Sequence, residues 1–229
     1  MFCNVIFAAQ IHKMEPVIRK LEIKRTAHIA EIGNDISKSK EIWMIMHGYG
    51  QLANRIVRKF DKFDMDDVHA IAPEGLNKFY WHDGAREPVS TWMTSHERLD
   101  EIADYLAYLD QVYEQMILPH LDDANFNILG FSQGSATMWR WVMHRKPQLS
   151  KLVQWAGEFP PEPDYKNQLS YLNNIDMRMV YGDKDSFIKG KHKDKVLAHI
   201  ATEGLDMKIQ EYEGLHRIDR KVLGDIVNA

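Results

Sequence analysis

The sequence holds one cysteine, Cys3, in 229 residues. No disulfide can close within the chain, and no zinc site built on cysteine clusters is available. A lone thiol fits a reducing compartment. A basic surplus is also missing: 29 Lys and Arg stand against 33 Asp and Glu, a formal net charge of −4. A nucleic-acid-binding domain would carry a basic stripe. The densest basic run, "KGKHKDK" at 189–195, is broken by Asp194 and reads as a solvated segment. No two histidines stand four apart, so the helical H-x-x-x-H zinc pattern is absent and no metal or cofactor is expected. The opening "MFCNVIFAAQ" is too short to cross a membrane and lacks the basic start of a secretory signal. Residues 1–13 are expected to be an N-terminal extension or an edge strand, with Met14 as an alternative start. No later run is long and apolar enough for a membrane span. The reading is a soluble, cytoplasmic protein with no nucleic-acid partner and no membrane insertion; its oligomeric state is left open. No repeat or linker divides residues 1–229, which are expected to form a single domain large enough to bury its own core.

What is present is an alternation. "LEIKRTAHIAEIG" (21–33) alternates apolar and polar residues and predicts an antiparallel pair of strands. Ile42 to Met46 is continuously apolar, as in a strand covered on both faces. "LANRIVRKF" predicts a helix, and "VHAIAPEG" (68–75) another strand. Residues 76–95 carry Phe79, Tyr80, Trp81 and Trp92 and predict a long loop of the kind that is usually functional. "SHERLDEIADYLAYLDQVYEQMIL" predicts the clearest helix, with Leu99, Ile102, Ala103, Leu106, Leu109, Val112, Tyr113 and Met116 at 3–4 spacing. Thereafter strands "FNILG", "KLVQWAG", "DMRMVYG" and "MKIQEYEG" alternate with helices "SATMWRWVMHRK", "KVLAHIATEGL" and "RIDRKVLGDIV". The expected fold is α/β: a mainly parallel central sheet with an antiparallel N-terminal edge, helices on both faces and no large cap domain.

Ligands of an open α/β sheet bind beyond the carboxyl ends of its strands. Four strand ends carry chemistry: His47-Gly48-Tyr49-Gly50, Gly130-Phe131-Ser132-Gln133-Gly134, Gly182-Asp183-Lys184-Asp185 and Glu213-Gly214-Leu215-His216. At average residue usage a chain of this length shows some G-x-S-x-G about one time in ten. The pattern therefore gains weight only from the other three ends. Together they present serine, carboxylate and histidine in the chain order that a hydrolase elbow uses. Ser132 would be the nucleophile and His216 its base. His216 alone among the histidines after the acids follows a strand directly. Asp183 and Asp185 compete for the acid, and spacing does not choose between them; the other would be a turn residue bonded to its own backbone. The backbone N–H groups of Tyr49 and Gln133 would form the oxyanion hole. His47 would orient that loop. Trp81, Trp92, Met93 and Phe159 would line an apolar acyl pocket, with core packing as the equal alternative for each.

"MHGYG", "GFSQGSA", "YGDKD" and "YEGLH" together resemble the α/β-hydrolase superfamily, and within it the phospholipase/carboxylesterase branch that includes acyl-protein thioesterases. The resemblance runs from about Ile42 to the C-terminus. It implies the α/β-hydrolase fold, and it implies Asp185 as the acid, since the branch has its acid three residues after the glycine and an apolar residue, here Ile188, three further on. It likewise implies oxyanion donation from Tyr49 and Gln133 and matches Trp81 to a tryptophan of relatives. "DSFIKG", Tyr181 and "WHDGAREPVSTWM" depart from the usual pattern around the mouth, so they bear on the substrate. The implied activity is a serine hydrolase cleaving carboxylic ester or thioester bonds of small or accessible acyl substrates. The alternatives are a lysophospholipase or peptidase with the same three residues, or a non-catalytic binding protein on the hydrolase fold.

Overall fold

Ile42, Trp43, Met44, Ile45 and Met46 are all at 0% exposure in the computed structural model. Successive strand residues point to opposite faces, so this strand is covered on both. The structure describes residues 16–229 except 62, 64–66, 83 and 85. The expected extension or edge strand at 1–13, and the alternative start at Met14, lie outside the described residues.

Among the described residues seven strands form the main sheet: β1 (Ile29–Ile32), β2 (Glu41–Met46), β3 (Val68–Pro73), β6 (Asn125–Phe131), β7 (Lys151–Trp155), β8 (Asp176–Gly182) and β9 (Met207–Tyr212). Their spatial order is β1-β3-β2-β6-β7-β8-β9. Among the described residues of this sheet only β1 runs antiparallel, against β3. A separate antiparallel pair, β4 (Asn77–Phe79) and β5 (Val89–Thr91), stands apart from it. The helices are α1 (Ala53–Ile56), α2 (Arg98–Val112), α3 (Gln133–Arg145), α4 (Leu169–Leu172), α5 (Lys191–Glu203) and α6 (Arg220–Val227). The layers meet in an aromatic core that includes Trp43, Trp139, Trp141, Trp155, Tyr105 and Phe126.

Four expectations need correction. The N-terminal antiparallel pair is a single strand, β1, which pairs over Ile29–Ile32 with Pro73–Ala70 of β3. Before it, Val17, Ile18, Leu21 and Ile23 are all more than three-quarters exposed, so their alternation records no buried face. The 76–95 segment is not structureless, since it contains the β4–β5 hairpin. Finally, α2 buries Tyr105, Tyr108, Leu109 and Val112, while Leu99 and Ala103 face water. The two tyrosines displace the smaller residues from the core because their rings bury more apolar area. The helix expected over "LANRIVRKF" (52–60) is also shorter than expected: α1 is one turn, continued by a 3-10 turn over Val57–Phe60.

Candidate active site

The order β3-β2-β6 places β2 beside β6 although β3 follows β2 in sequence. The chain leaves β2 in one direction and β6 in the other, which opens a crevice at their carboxyl ends. Ser132 is the single residue between β6 and α3. Its backbone lies at φ 53°, ψ −119°. A non-glycine residue held there stores roughly 1–3 kcal/mol. The surroundings impose it: Ser132 N donates to Trp155 O at 2.8 Å, and Ser135 N donates to Ser132 O at 3.0 Å. Gly134 permits the sharp turn, since a Cβ there would stand 2.2 Å from Met46 O. Gly48 brings the loop after β2 against the serine, since its Cβ would stand 3.1 Å from Ser132 Cβ.

Two more strand ends reach the same point. His216, four residues beyond β9, places Nε2 2.9 Å from Ser132 Oγ and Nδ1 2.8 Å from Asp185 Oδ2. Asp185, three residues beyond β8, is completely buried. Its other oxygen accepts the N–H groups of Phe187 (2.8 Å) and Ile188 (3.1 Å). The buried carboxylate is therefore supplied with donors on both sides, as burial of a charge requires. Facing a carboxylate, Nδ1 carries the hydrogen and leaves the Nε2 lone pair toward the serine hydroxyl. The His216 loop is pinned by Trp155 Nε1, which donates to Arg217 O at 3.1 Å, and by Tyr212 Oη, which bonds Arg217 O and, at 3.2 Å, Leu215 O. The ring lies between Phe131 (5.0 Å between centroids) and the exposed Phe187 (4.5 Å).

Asp183 does something else. It is exposed, and its Oδ1 accepts Gly214 N–H at 2.8 Å. With Asp183 N to Tyr212 O (2.8 Å) and Lys184 N to Gly214 O (2.9 Å), it straps the loop after β8 to the loop after β9. The expected bond to its own backbone is replaced by this cross-loop one. The short Gly182–Gly214 approach brings the two loops within reach.

The loop after β2 is set by His47, which is fully buried. Gly75 N–H can only donate, and it meets His47 Nε2 at 2.9 Å. Nδ1 therefore bears the hydrogen, which it donates to Gly48 O at 2.8 Å. Burial holds this imidazole neutral, with its pKa down to about 4, although the Gly48 bond and Glu74 pull the other way. An unfolded histidine protonates near 6.5. Between the two values the unfolded chain binds the extra proton, so the folded state loses stability as the pH falls from about 6.5 to 4. The shift corresponds to about 3 kcal/mol. Denaturant melts at pH 7 and pH 4 should therefore show a loss about 3 kcal/mol smaller in His47→Gln than in the unchanged protein. Equal losses would contradict this assignment.

Tyr49, in the loop after β2, and Gln133, the first residue of α3, flank the serine, and neither backbone N–H has a hydrogen-bond partner among the described residues. The Tyr49 ring is half exposed and packs on Phe79 (5.0 Å) and Trp81 (5.6 Å). Trp81 is itself 57% exposed, so it offers a face at the mouth. Trp92 is a correction. It is 1% exposed, its Nε1 donates to His47 O at 2.8 Å, and it stacks on the His47 ring at 5.0 Å. It supports the loop from behind and presents nothing to a ligand. Phe159 packs on Trp139, Tyr165 and His199, while Met93 lies against Arg140.

Sequence reading missed Phe187, the Trp155 and Tyr212 anchors, and the bonds of the Gln133 side chain; of these only Tyr212, in the distinctive "YEG", carried a signal. Among the described residues no group of three or more His, Cys, Asp or Glu is placed to hold a metal ion, and no helix is long and apolar enough to cross a membrane.

A sequence profile of the family described as Phospholipase/Carboxylesterase matches residues 27–229. A comparison with curated proteins gives no match. Among solved structures the chain is similar to Zea mays acyl-protein thioesterase 2, with TM-score 0.65, 14% identity, and 89% of this chain and 96% of that one covered. It is similar to a carboxylesterase from Mesorhizobium loti, with TM-score 0.63, 12% identity and coverage of 89% and 94%. Esterase PE8 gives TM-score 0.63, 16% identity and coverage of 89% and 97%. At these identities the structural likeness is one of fold.

Proposed function

The chain belongs to the phospholipase/carboxylesterase family, a hydrolase family of the α/β-hydrolase fold, and on that premise we propose that it cleaves carboxylic ester or thioester bonds through Ser132, His216 and Asp185. The observation that carries this reading is the continuous hydrogen-bonded line from Ser132 Oγ through both ring nitrogens of His216 to Asp185. Ser132 Oγ attacks the acyl carbon while His216 Nε2 takes its proton. Asp185 holds the resulting imidazolium. The carbonyl oxygen becomes an oxyanion, stabilised by the N–H groups of Tyr49 and Gln133 and by the N-terminus of α3. His216 then gives its proton to the leaving alcohol or thiol. A water molecule, deprotonated by His216, attacks the acyl-enzyme; the Ser132 Oγ–acyl bond breaks, His216 returns the proton to Oγ, and the carboxylic acid is released. No cofactor enters these steps. Every residue invoked lies just beyond a strand end of the one seven-stranded sheet, which supports reading the chain as one catalytic domain.

The exposed Tyr49 and Trp81, with the partly buried Phe79 between them, support an apolar acyl subsite at the mouth, with Trp81 as its ligand-facing member. One structural neighbour is named an acyl-protein thioesterase and others are named esterases, so both bond types belong in the test. Hydrolysis of oxygen and sulfur esters of matched acyl length, from two to sixteen carbons, should give turnover with both. Trp81→Ala should raise KM for the longer chains while leaving kcat on the acetate within about threefold, because uniform binding is lost rather than transition-state stabilisation. Turnover restricted to lysophospholipids or peptides would move the assignment to the corresponding hydrolase. Absence of any turnover would support a non-catalytic binding protein.

A further inference from the structure

We propose that the side-chain amide of Gln133 is a positioning element that ties both oxyanion donors to one short segment, Ser90–Met93. This rests on the hydrolase reading above. Gln133 Oε1 lies 2.9 Å from Thr91 Oγ1 and accepts Trp92 N–H at 3.2 Å. Gln133 Nε2 donates to Met93 O at 3.0 Å. Thr91 Oγ1 is also 3.0 Å from Met93 O, so its single proton serves either acceptor. A polar side chain in the first turn of a helix has no need of three such partners; here the amide is committed to them.

The same segment holds the other donor's loop. Gly50 N donates to Ser90 O at 2.9 Å, and Ser90 N donates to Gln51 O at 3.1 Å. Ser90 Oγ donates to Gln51 O at 2.8 Å, and Trp92 Nε1 donates to His47 O at 2.8 Å. Gln51 turns back within its own loop, its Oε1 accepting Gly48 N–H at 2.9 Å. Tyr49 is thus bracketed by bonds to Ser90 and Trp92, while Gln133 is bonded to Thr91, Trp92 and Met93. The register between β2 and β6 ends at the Met46–Gly130 pair. Beyond it, Ser90–Met93 bridges the two loops. Both N–H groups must meet one oxygen at about 2.7–3.1 Å. A fixed bridge holds that spacing before substrate arrives, so little reorganisation accompanies the developing charge.

The test uses Gln133→Leu and Gln133→Glu, both of which keep the backbone N–H of residue 133. Leucine removes every side-chain bond. Glutamate keeps an acceptor for Thr91 and Trp92 but loses the donor to Met93 O. For a short aryl ester, kcat should fall about 10- to 100-fold in Gln133→Leu, with KM within about threefold. Gln133→Glu should fall in between. Affinity for a trifluoromethyl ketone of the same acyl length, which forms the oxyanion on Ser132, should weaken in parallel with kcat/KM. Binding of the matching methyl ether, which forms none, should hold. A lowered melting temperature with kcat and ketone affinity unchanged in both variants would overturn the proposal and leave Gln133 a structural residue. An unchanged protein that hydrolyses no ester or thioester would overturn the hydrolase reading, and this proposal with it.

Discussion

Ser132→Ala should lower kcat on an aryl acetate or butyrate by about 10³-fold or more, with KM little changed. Alanine removes the atom that forms the acyl-enzyme and leaves the rest of the elbow in place. The strained backbone at φ 53° is set by Trp155 O, Ser135 N and the close packing of Gly134, none of which involves the serine hydroxyl. The variant should therefore fold and melt close to the unchanged protein, so lost turnover reads as lost chemistry. A small residual rate is expected, because the oxyanion donors still act on a carbonyl attacked by water. A variant that keeps more than about a tenth of the rate would place the nucleophile elsewhere.

Asp185→Asn and Asp183→Asn should separate by orders of magnitude. At 185 the amide oxygen can still accept the Phe187 and Ile188 N–H groups, which turns the NH2 toward His216 Nδ1. Nδ1 must then act as acceptor, so the hydrogen moves to Nε2, where it faces Ser132 Oγ. The base is then in the wrong tautomer, and kcat should fall about 10³- to 10⁴-fold. At 183 the amide oxygen replaces the carboxylate oxygen that accepts Gly214 N–H, so the strap between the two loops survives. That variant should lose less than about tenfold, and raising the pH should not distinguish it from the unchanged protein. The reverse ranking would make Asp183 the acid and leave the buried Asp185 pair without a catalytic purpose.

The strand ends were legible because a glycine stands one or two residues after the last residue of each run: Met46 before His47-Gly48, Leu129 before Gly130, Tyr181 before Gly182 and Tyr212 before Glu213-Gly214. The parallel sheet follows from the same runs, since strands covered on both faces lose the alternation that a half-exposed strand keeps. Residues 21–28 misled for the complementary reason. They alternate, but no described strand pairs with them; the antiparallel pairing with β3 covers only Ile29–Ile32. Trp81 and Trp92 have the same chemistry eleven residues apart, and sequence could not tell that the hairpin exposes one and buries the other under His47. The choice between Asp183 and Asp185 depended on which carboxylate the loop turns inward, a matter of cross-loop bonds to Gly214 and His216 rather than spacing. The Gln133 side chain was invisible for the same reason: its partners lie about forty residues away.

The measurement that tests the central claim most directly is labelling of the intact protein with a fluorophosphonate, followed by mass mapping of the modified peptide. The expected result is one adduct per chain, on Ser132 in "GFSQG", abolished in Ser132→Ala and strongly slowed when His216 is replaced by alanine. Folded protein that takes no label, or takes it on a residue other than Ser132, would contradict the account.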